Sequence, residues 1–280
     1  MPYHEQFRVV PGSNVRLADS DPTFCGIHEK KKSARRTTAE LQGRMATLQS
    51  QLFAENKRSL LICLQGLDAS GKDGVIRHVI GSMNPQGCRV VSFKEPSREE
   101  LAHDFLWRVE QQTPRRGEVA IFNRSHYEDV LIVRVHQQIA KEMCTERLQI
   151  INTFERGLVA NGTQILKFFL NISKDEQLHR FEQRLTDPTR QWKIAESDYS
   201  ERDLWDKYQH AYDDALAACS TAAAPWYVIP ADHKWFRNLV ISQIVVRKLE
   251  EMKLQVPEPQ VDLGEIRKKY HQAVKGGDEG

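Results

Sequence analysis

The chain has 280 residues, of which 40% are hydrophobic and 28% are charged, so it can bury a core and is not globally disordered. Its formal net charge of +2 argues against a general nucleic-acid-binding protein and predicts that any anion-binding site is local. No stretch approaches the roughly 18 apolar residues of a membrane span, and the start MPYHEQFRVVPGSN lacks the pattern of a signal peptide.

Two segments precede the first predicted strand. Residues 1–28 are rich in Pro, Gly, Asp and Ser and predict an irregular arm, whereas residues 29–57 predict a helix. The apolar residues of this helix recur at spacings of four, three and four: Leu41, Met45, Leu48 and Leu52. We expect this stripe to pack against the domain or against a second subunit. Residues 1–58 therefore form an N-terminal arm and helix.

From residue 59, short apolar runs alternate with longer amphipathic segments. The runs are SLLICLQ (59–65), CRVVSF (88–93), VAIFN (119–123), ILKFFLNI (165–172) and WYVIPA (226–231). Their near-continuous apolar character predicts strands buried on both faces. The alternation predicts an α/β domain over 59–255, with a parallel five-stranded sheet flanked by helices. The helices are expected near 72–83, 97–112, 125–140, 145–161, 174–186, 201–219 and 233–252.

The remaining features concern the tail and the cysteines. Residues 256–280 contain two Pro, a basic cluster and a Gly-rich end, and they predict a loosely attached tail. The five cysteines lie far apart and form no CxxC pair, which favours reduced thiols and a cytoplasmic protein.

Residues 66–74 read GLDASGKDG, between a predicted strand and a predicted helix. Glycines let backbone N–H groups converge on an anion, the helix N-terminus adds partial positive charge, and Lys72 supplies a full charge. This pattern predicts a phosphate-binding loop. The alternative is a Gly-rich turn with a surface lysine. Besides Lys72, the predicted phosphate-binding residues of the loop are Gly66, Ala69, Ser70, Gly71, Asp73 and Gly74.

Two carboxylates accompany this loop. Asp73 stands where such loops usually carry the Ser or Thr that helps to hold magnesium, and Asp68 lies inside the loop. Carboxylates next to a polyanion require a cation, so we predict Mg²⁺ (or Mn²⁺) as the cofactor. Asp68 is the first candidate ligand, whereas Asp73 could instead cap the helix.

A second polar cluster, FNRSHYEDV (122–130), follows the third apolar run. Ligands of open α/β sheets bind at this edge of the sheet. Arg124 can hold a phosphoryl group with its planar guanidinium. Asp129 or Glu128 could bind the metal or orient an acceptor. His126 is given a structural role, because phosphoryl transfer depends on positioning and charge.

Together these motifs resemble the polyphosphate kinase 2 family. The resemblance runs from about residue 5 to 253 and includes NPQG (84–87), SFKEPS (92–97), HDFLWR (103–108), RLTDPTRQWK (184–193) and APWYVIPADHKWFRN (224–238). It implies a P-loop nucleotide-kinase fold, similar to thymidylate kinase, with a helical lid at about 174–205. It also implies magnesium-dependent phosphoryl transfer between inorganic polyphosphate and nucleotides by a homo-oligomer, a dimer or tetramer.

The second motif also bears on the class within the family. Many class I members carry Asp where this chain has Asn123, and Asn where it has Glu128. The form NRSHYED is similar to class III, whose members phosphorylate both AMP and ADP. The resemblance thus implies nucleotide binding by Asn123, Glu128 and Arg180, with adenine or guanine bases, and metal binding by Asp68 with Asp129 or Glu128.

A long polyanion needs a basic path. The expected contacts are Arg124, Arg134, Arg184 and Lys193, whereas Arg115 and Arg116 are expected to be surface residues. Pro188 should interrupt the lid, which would close over the phosphates and exclude water. Four aromatic residues could either stack on a base or pack in the core: Trp192, Tyr199, Trp205 and Tyr208.

The leading hypothesis is in-line transfer of the terminal phosphoryl group of polyphosphate to AMP or ADP, with Lys72, Arg124 and Asp68 as catalytic residues. An ATP-dependent nucleoside monophosphate kinase is the alternative enzyme. A non-enzymatic anion-binding protein is a third hypothesis, which the carboxylates at the loop disfavour.

Overall fold

A computed structural model describes residues 2–26 and 31–277. Residues 1, 27 and 28 of the predicted arm, residues 29 and 30 of the predicted first helix, and residues 278–280 of the tail lie outside the described residues.

The centre of the fold is one parallel sheet of five strands. The strands are β1 (Ser59–Gln65), β2 (Cys88–Ser92), β3 (Val119–Asn123), β4 (Thr163–Asn171) and β5 (Trp226–Pro230), in the order β2-β3-β1-β4-β5. In the register of the sheet, Ile62 lies between Ile121 and Leu166. The predicted parallel five-stranded sheet is therefore confirmed, and the carboxyl ends of its strands share one edge.

One expectation about the strands was wrong. We expected every strand to be buried on both faces, but β2 is only partly covered, and the side chain of Val90 is 45% exposed. This strand lies at the edge of the sheet and pairs with β3 alone, so fewer neighbours shield it from solvent.

Helices flank both faces of the sheet. They are α1 (Tyr3–Gln6), α2 (Lys31–Glu55), α3 (Lys72–His78), α4 (Arg98–Leu101), α5 (Trp107–Glu110), α6 (Glu128–Val135), α7 (Lys141–Ala160), α8 (Lys174–Thr186), α9 (Ser197–Asp203), α10 (Trp205–Cys219), α11 (Lys234–Glu251) and α12 (Leu263–Gly277). The single helix predicted over 97–112 is instead two short helices, because the side chain of Asp104 accepts a hydrogen bond from the Leu106 N–H and forms a turn between them.

Helix α2 packs on one face of the sheet, next to α11. Met45, Leu48 and Leu52 are buried in the same cluster as Leu60 and Ile62 of β1. The apolar stripe of α2 therefore packs against the chain's own domain, and these three side chains are covered without a second subunit.

The opposite face of the sheet is covered by α6, α7 and α10. Their cluster contains Tyr127, Leu148, Tyr212 and Trp226, all buried. The two buried faces explain why the central strands are apolar at successive positions rather than at alternate ones.

The N-terminal arm contains the short helix α1 and is attached to the domain. Arg8 forms an antiparallel bridge with Tyr227, and the Val9 N–H donates to the carbonyl of Trp226 at 2.9 Å. The aromatic rings of Phe7 and Phe24 lie against Phe236 of α11. The arm thus covers the outer edge of the sheet next to β5.

Residues 174–205, the predicted lid, contain α8, a 3₁₀ turn at Gln191–Lys193, and α9. Helix α8 ends before Pro188, and the Asp187 side chain accepts from the Thr189 N–H at 3.0 Å in the turn that follows. At the tail, residues 263–274 of α12 are exposed. All five cysteines are free thiols. In the part of the chain that the structure describes, no helix is both long and apolar enough to cross a membrane.

Candidate active site

The loop that joins β1 to α3 curls through three residues with positive φ. These are Gly66 at 144°, Ala69 at 60° and Gly71 at 103°. A Cβ atom on Gly66 would lie 2.8 Å from the carbonyl oxygen of Leu170, so no larger residue fits there without displacing backbone. The glycines are therefore required by the path of the loop, as the sequence predicted.

Lys72 opens α3 and turns back across this loop. Its Nζ donates to the carbonyl of Gly66 at 2.6 Å and to that of Leu67 at 3.3 Å. Burial and the nearby charge of Arg124 lower the pKa of Lys72. The Ser70 hydroxyl is buried and has no hydrogen-bond partner among the described residues. The loop therefore carries a cation and an unsatisfied polar group, which suits an anionic ligand.

Arg124 reaches the loop from the end of β3. Its Nη2 donates to Oδ1 of Asp68 at 3.0 Å, and its backbone N–H donates to the carbonyl of Leu64 at 3.0 Å. Burial opposes the charge of Arg124, but Glu128 and Asp68 outweigh it and raise the pKa of the guanidinium. The structure thus brings together Lys72, Arg124 and Asp68, the three predicted catalytic residues.

Glu128, the first residue of α6, completes this group of charges. Burial raises the pKa of its carboxyl, and Arg124 and Lys72 offset only part of that increase. The structure therefore places two carboxylates, those of Asp68 and Glu128, in electrostatic contact with both cations.

Asp73 and Gly74 lie in the first turn of α3, and Asp73 links three elements. Its Oδ1 accepts from the Asn123 amide of β3 at 3.1 Å, and its Oδ2 accepts from Nζ of Lys193 at 2.8 Å. Burial alone would raise the pKa of Asp73, but these two hydrogen bonds lower it. Lys193 of the predicted lid is thereby held next to the first turn of α3.

Asp129, the other predicted metal ligand, is engaged elsewhere. Its Oδ2 accepts from Nη2 of Arg108 at 3.0 Å, and the same guanidinium donates to the carbonyl of Lys94. Asp129 is thus paired with Arg108, whereas Glu128 interacts with the charges of Arg124 and Lys72. The geometry favours Glu128 as the partner of Asp68.

The residues at the loop fit a magnesium ion that is held partly by substrate. Across residues 2–26 and 31–277, no group of three or more His, Cys, Asp and Glu is arranged to hold a metal. Mg²⁺ in phosphoryl-transfer sites is commonly bound by one or two carboxylates together with substrate phosphates. Asp68 and Glu128 provide two such carboxylates next to the loop.

Arg180, predicted to bind the nucleotide, supports the loop instead. Its five N–H groups donate to Glu176 Oε1 and to four carbonyls, those of Ala69, Ser70, Ala231 and Asp232. Its side chain is buried. Because every donor is used within the protein, this arrangement leaves none for a nucleotide.

Two of the basic residues predicted to follow polyphosphate have protein partners. Arg134 pairs with Asp214 at 2.5 Å and is not among the contacts of the loop. Arg184 donates to the carbonyl of Lys193 at 3.1 Å and lies 3.4 Å from Oδ2 of Asp198, so it holds the lid turn together.

The four aromatic residues that could stack on a base differ in their exposure to solvent. Trp205 and Tyr208 are buried, and Tyr199 lies 5.4 Å from the ring of Phe181. Trp192 is 78% exposed and adjoins Lys193, so it alone among the four presents most of its ring to solvent.

Sequence reasoning missed a buried polar network beneath the second motif. Lys167 of β4 donates to Glu155 Oε2 at 2.5 Å and to the Tyr127 hydroxyl at 3.0 Å. Glu155 Oε1 accepts from that hydroxyl at 2.9 Å and lies 3.2 Å from Nε2 of His126. A lysine inside an otherwise apolar strand is the signal that could have revealed it. The network supports the predicted structural role of His126.

Comparison with known proteins identifies the family. The profile of the family described as Polyphosphate kinase 2 matches residues 28–257. The chain is 48% identical over 257 residues to the AMP/ADP-polyphosphate phosphotransferase of Meiothermus ruber, covering 91% of this chain and 96% of that protein. It is 42% identical over 266 residues to the ADP-polyphosphate phosphotransferase of Rhodopseudomonas palustris, covering 91% and 92%.

A solved structure agrees with the sequence matches. The fold superposes on the crystal structure of Polyphosphate Kinase 2 from Arthrobacter aurescens TC1 with a TM-score of 0.93 and 41% identity, covering 97% of each chain. The predicted P-loop kinase fold is thereby confirmed. The chain belongs to the polyphosphate kinase 2 family.

Proposed function

We propose that this phosphotransferase moves the terminal phosphoryl group of inorganic polyphosphate to AMP, ADP or both, reversibly and with Mg²⁺ (or Mn²⁺). Relatives at 48% and 42% identity are named for AMP/ADP and for ADP, which supports this substrate class. We include guanine nucleotides as acceptors, because they carry the same phosphate groups as adenine nucleotides.

One observation carries the proposal: Lys72, Arg124 and Asp68 meet at the phosphate-binding loop, and Lys193 of the lid reaches the same loop. A phosphoanhydride chain presents successive anionic groups, so several cations around one loop suit it better than they suit a single phosphate. Polyphosphate and the tail of ATP are both phosphoanhydride chains, so the same side chains could bind either donor.

The side chains would act through charge and position. Backbone N–H groups at the start of α3 and Lys72 would hold the phosphoryl oxygens, and Arg124 would stabilise the charge that develops on them. Asp68 and Glu128 would hold magnesium, which would supply positive charge against the phosphate oxygens. The acceptor oxygen belongs to a nucleotide phosphate that is already ionised, so no protein base is needed.

Asn123, one of the two residues behind the class III interpretation, pairs with Asp73. An Asp at position 123 would place a second carboxylate where Asp73 now accepts an amide hydrogen bond at 3.1 Å. Asn123 lets Asp73 remain ionised and bound to Lys193 without an additional cation.

The deciding experiment mixes purified protein with polyphosphate, Mg²⁺ and AMP in the absence of ATP, and follows nucleotides by chromatography. ADP followed by ATP supports the full proposal. ATP from ADP, with no product from AMP, keeps polyphosphate as donor and excludes the class III interpretation. Turnover only when ATP is added with AMP would establish the ATP-dependent nucleoside monophosphate kinase instead.

A further inference from the structure

Arg237 of α11 is a buried cation behind the phosphate-binding loop. Its side chain is 1% exposed. In the described ranges, 2–26 and 31–277, its guanidinium has no carboxylate partner. The charged side chain that acts on it is another cation, Arg180. Its Nε and Nη2 donate to Oδ1 of Asn238, at 3.1 and 2.9 Å. Buried charges are normally paired, so this arginine calls for an explanation.

The guanidinium occupies space that two glycines of the loop leave open. A Cβ atom on Gly71 would lie 1.9 Å from Nη1 of Arg237, and a Cβ atom on Gly74 would lie 3.0 Å from Nη2. These glycines therefore have a second purpose besides backbone freedom. They let the guanidinium of Arg237 lie directly against the backbone of the loop.

Two arginines converge on one carbonyl of the loop. Nη1 of Arg237 donates to the carbonyl oxygen of Ser70 at 3.3 Å, and Nη1 of Arg180 donates to the same oxygen at 3.0 Å. In a trans peptide the C=O and the following N–H point in opposite directions. Fixing the Ser70 carbonyl toward the arginines therefore directs the Gly71 N–H away from them.

We propose that Arg237 is a positioning residue for phosphate binding. It holds the Ser70–Gly71 peptide so that its N–H faces the ligand, and its unpaired charge attracts the phosphate from behind the loop. The inference rests on the proposed function in one respect, because it takes the ligand of this loop to be an anhydride phosphate.

Binding of inorganic tripolyphosphate without nucleotide tests this role. We expect Arg237→Met to weaken binding by about tenfold to a hundredfold in calorimetry, the effect of losing a charged hydrogen bond. The melting temperature of the unliganded variant should change little, since the hydrogen bonds that are lost are offset by removal of a buried charge that has no counter-ion. The shift in melting temperature on adding tripolyphosphate should shrink. Arg237→Lys, which keeps the charge, should recover part of the affinity.

Arg247→Met is the matched control, because Arg247 lies on the same helix but is exposed and pairs with Glu251. It should bind tripolyphosphate like the unaltered protein. If Arg237→Met binds tripolyphosphate as tightly as the unaltered protein, or loses only unliganded stability, Arg237 is merely structural and the inference is wrong.

A second variant tests the inference with the Arg237 side chain in place. Gly74→Ala keeps the N–H of residue 74 and adds a methyl group against Nη2 of Arg237. It should weaken tripolyphosphate binding when Arg237 is present and have little further effect in Arg237→Met. Equal effects in both backgrounds, or unchanged binding when Arg237 is present, would contradict the inference. Because no nucleotide is used, failure of the proposed function would show separately, as binding of tripolyphosphate without phosphorylation of AMP or ADP.

Discussion

Arg124 has a left-handed backbone conformation, with φ at 61°, where β3 ends and the second motif begins. This conformation is unfavourable for a residue with a Cβ atom, and such residues concentrate at functional sites. Here it accompanies the hydrogen bond from the Arg124 N–H to Leu64, next to the contact of its side chain with Asp68. The strained backbone thus places the guanidinium beside Asp68 at a cost in stability.

Two substitutions at position 124 can separate the proposed catalytic role of the guanidinium from the effect of the backbone conformation. We expect Arg124→Ala and Arg124→Gly each to lower kcat by about a thousandfold or more, the range measured for arginines that stabilise phosphoryl transfer. Arg124→Gly should be more stable than Arg124→Ala by about 1 kcal/mol, because glycine adopts positive φ without penalty. Steady-state kinetics and urea unfolding measure the two effects. Substantial activity in either variant would remove Arg124 from the catalytic group.

Lys72 predicts a pH effect. Burial and Arg124 lower its pKa, so in the free enzyme it loses its proton at a lower pH than an ordinary lysine. Bound phosphate should favour the charged form and raise the pKa again. We therefore expect kcat/KM for polyphosphate to fall at alkaline pH before kcat does, since kcat/KM reports the free enzyme. Lys72→Arg, which stays charged, should lack this alkaline decline in its residual activity. Parallel declines of both constants would contradict this assignment.

At the scale of elements, β4 and α7 supply buried charged side chains that contact the second motif. Lys167 and Glu155 are both buried and joined at 2.5 Å, and Tyr127 and His126 of the motif bind to them. The motif thus rests on a polar network that spans three elements. Burial would raise the pKa of Glu155, but Lys167 and His126 outweigh it, so the pKa is lowered.

Removing one of the two charges of this network should destabilise the protein. We expect Glu155→Gln to reduce the free energy of unfolding by about 3–5 kcal/mol, because Lys167 would remain buried without its counter-ion. The double variant Glu155→Leu, Lys167→Met should be more stable than the single one, since it removes both charges. Urea unfolding at neutral pH measures both. Equal stability of single and double variants would show that the ion pair does not govern this region.

The same network predicts a sign for the dependence on pH. A carboxyl whose pKa is lowered on folding stabilises the protein above its unfolded pKa, and loses this contribution as the pH falls through the folded value. The stability difference between the unaltered protein and the double variant should therefore be constant near neutral pH and change in favour of the double variant only in acid.

At the scale of the whole molecule, the order β2-β3-β1-β4-β5 places the ends of β1 and β3 side by side. Residues more than 50 positions apart, such as Asp68 and Arg124, thereby become neighbours at 3.0 Å. The predicted lid then adds Lys193, a further 69 residues along the chain from Arg124, to the same loop. The site is a product of the sheet order.

The tail is a separate part of the molecule. Helix α12 is amphipathic, yet residues 263–274 are exposed, including Ile266 and Tyr270. We expect a chain ending at residue 257 to keep its melting temperature within about 3 °C and to retain its kcat, because it loses little buried apolar surface. Calorimetry and steady-state kinetics measure this. A large loss of stability or activity would show that the tail belongs to the folded core of the active protein.

Local patterns determined much of this protein. Five apolar runs located five strands, and the spacing of glycines with Lys72 located the phosphate-binding loop, because periodicity and backbone freedom act over a few residues. Resemblance of several ordered motifs identified the family, which the comparisons confirm.

Only the tertiary structure decided how charges divide between the site and its support. The sequence shows Glu128 and Asp129 as equivalent neighbours, yet Glu128 interacts with the charges of Arg124 and Lys72, and Asp129 pairs with Arg108. It also shows Arg180 and Arg237 as ordinary basic residues, yet both lie buried against the loop carbonyls. The role of a charged side chain depends on which distant elements surround it, and that information resides in the packing of the fold.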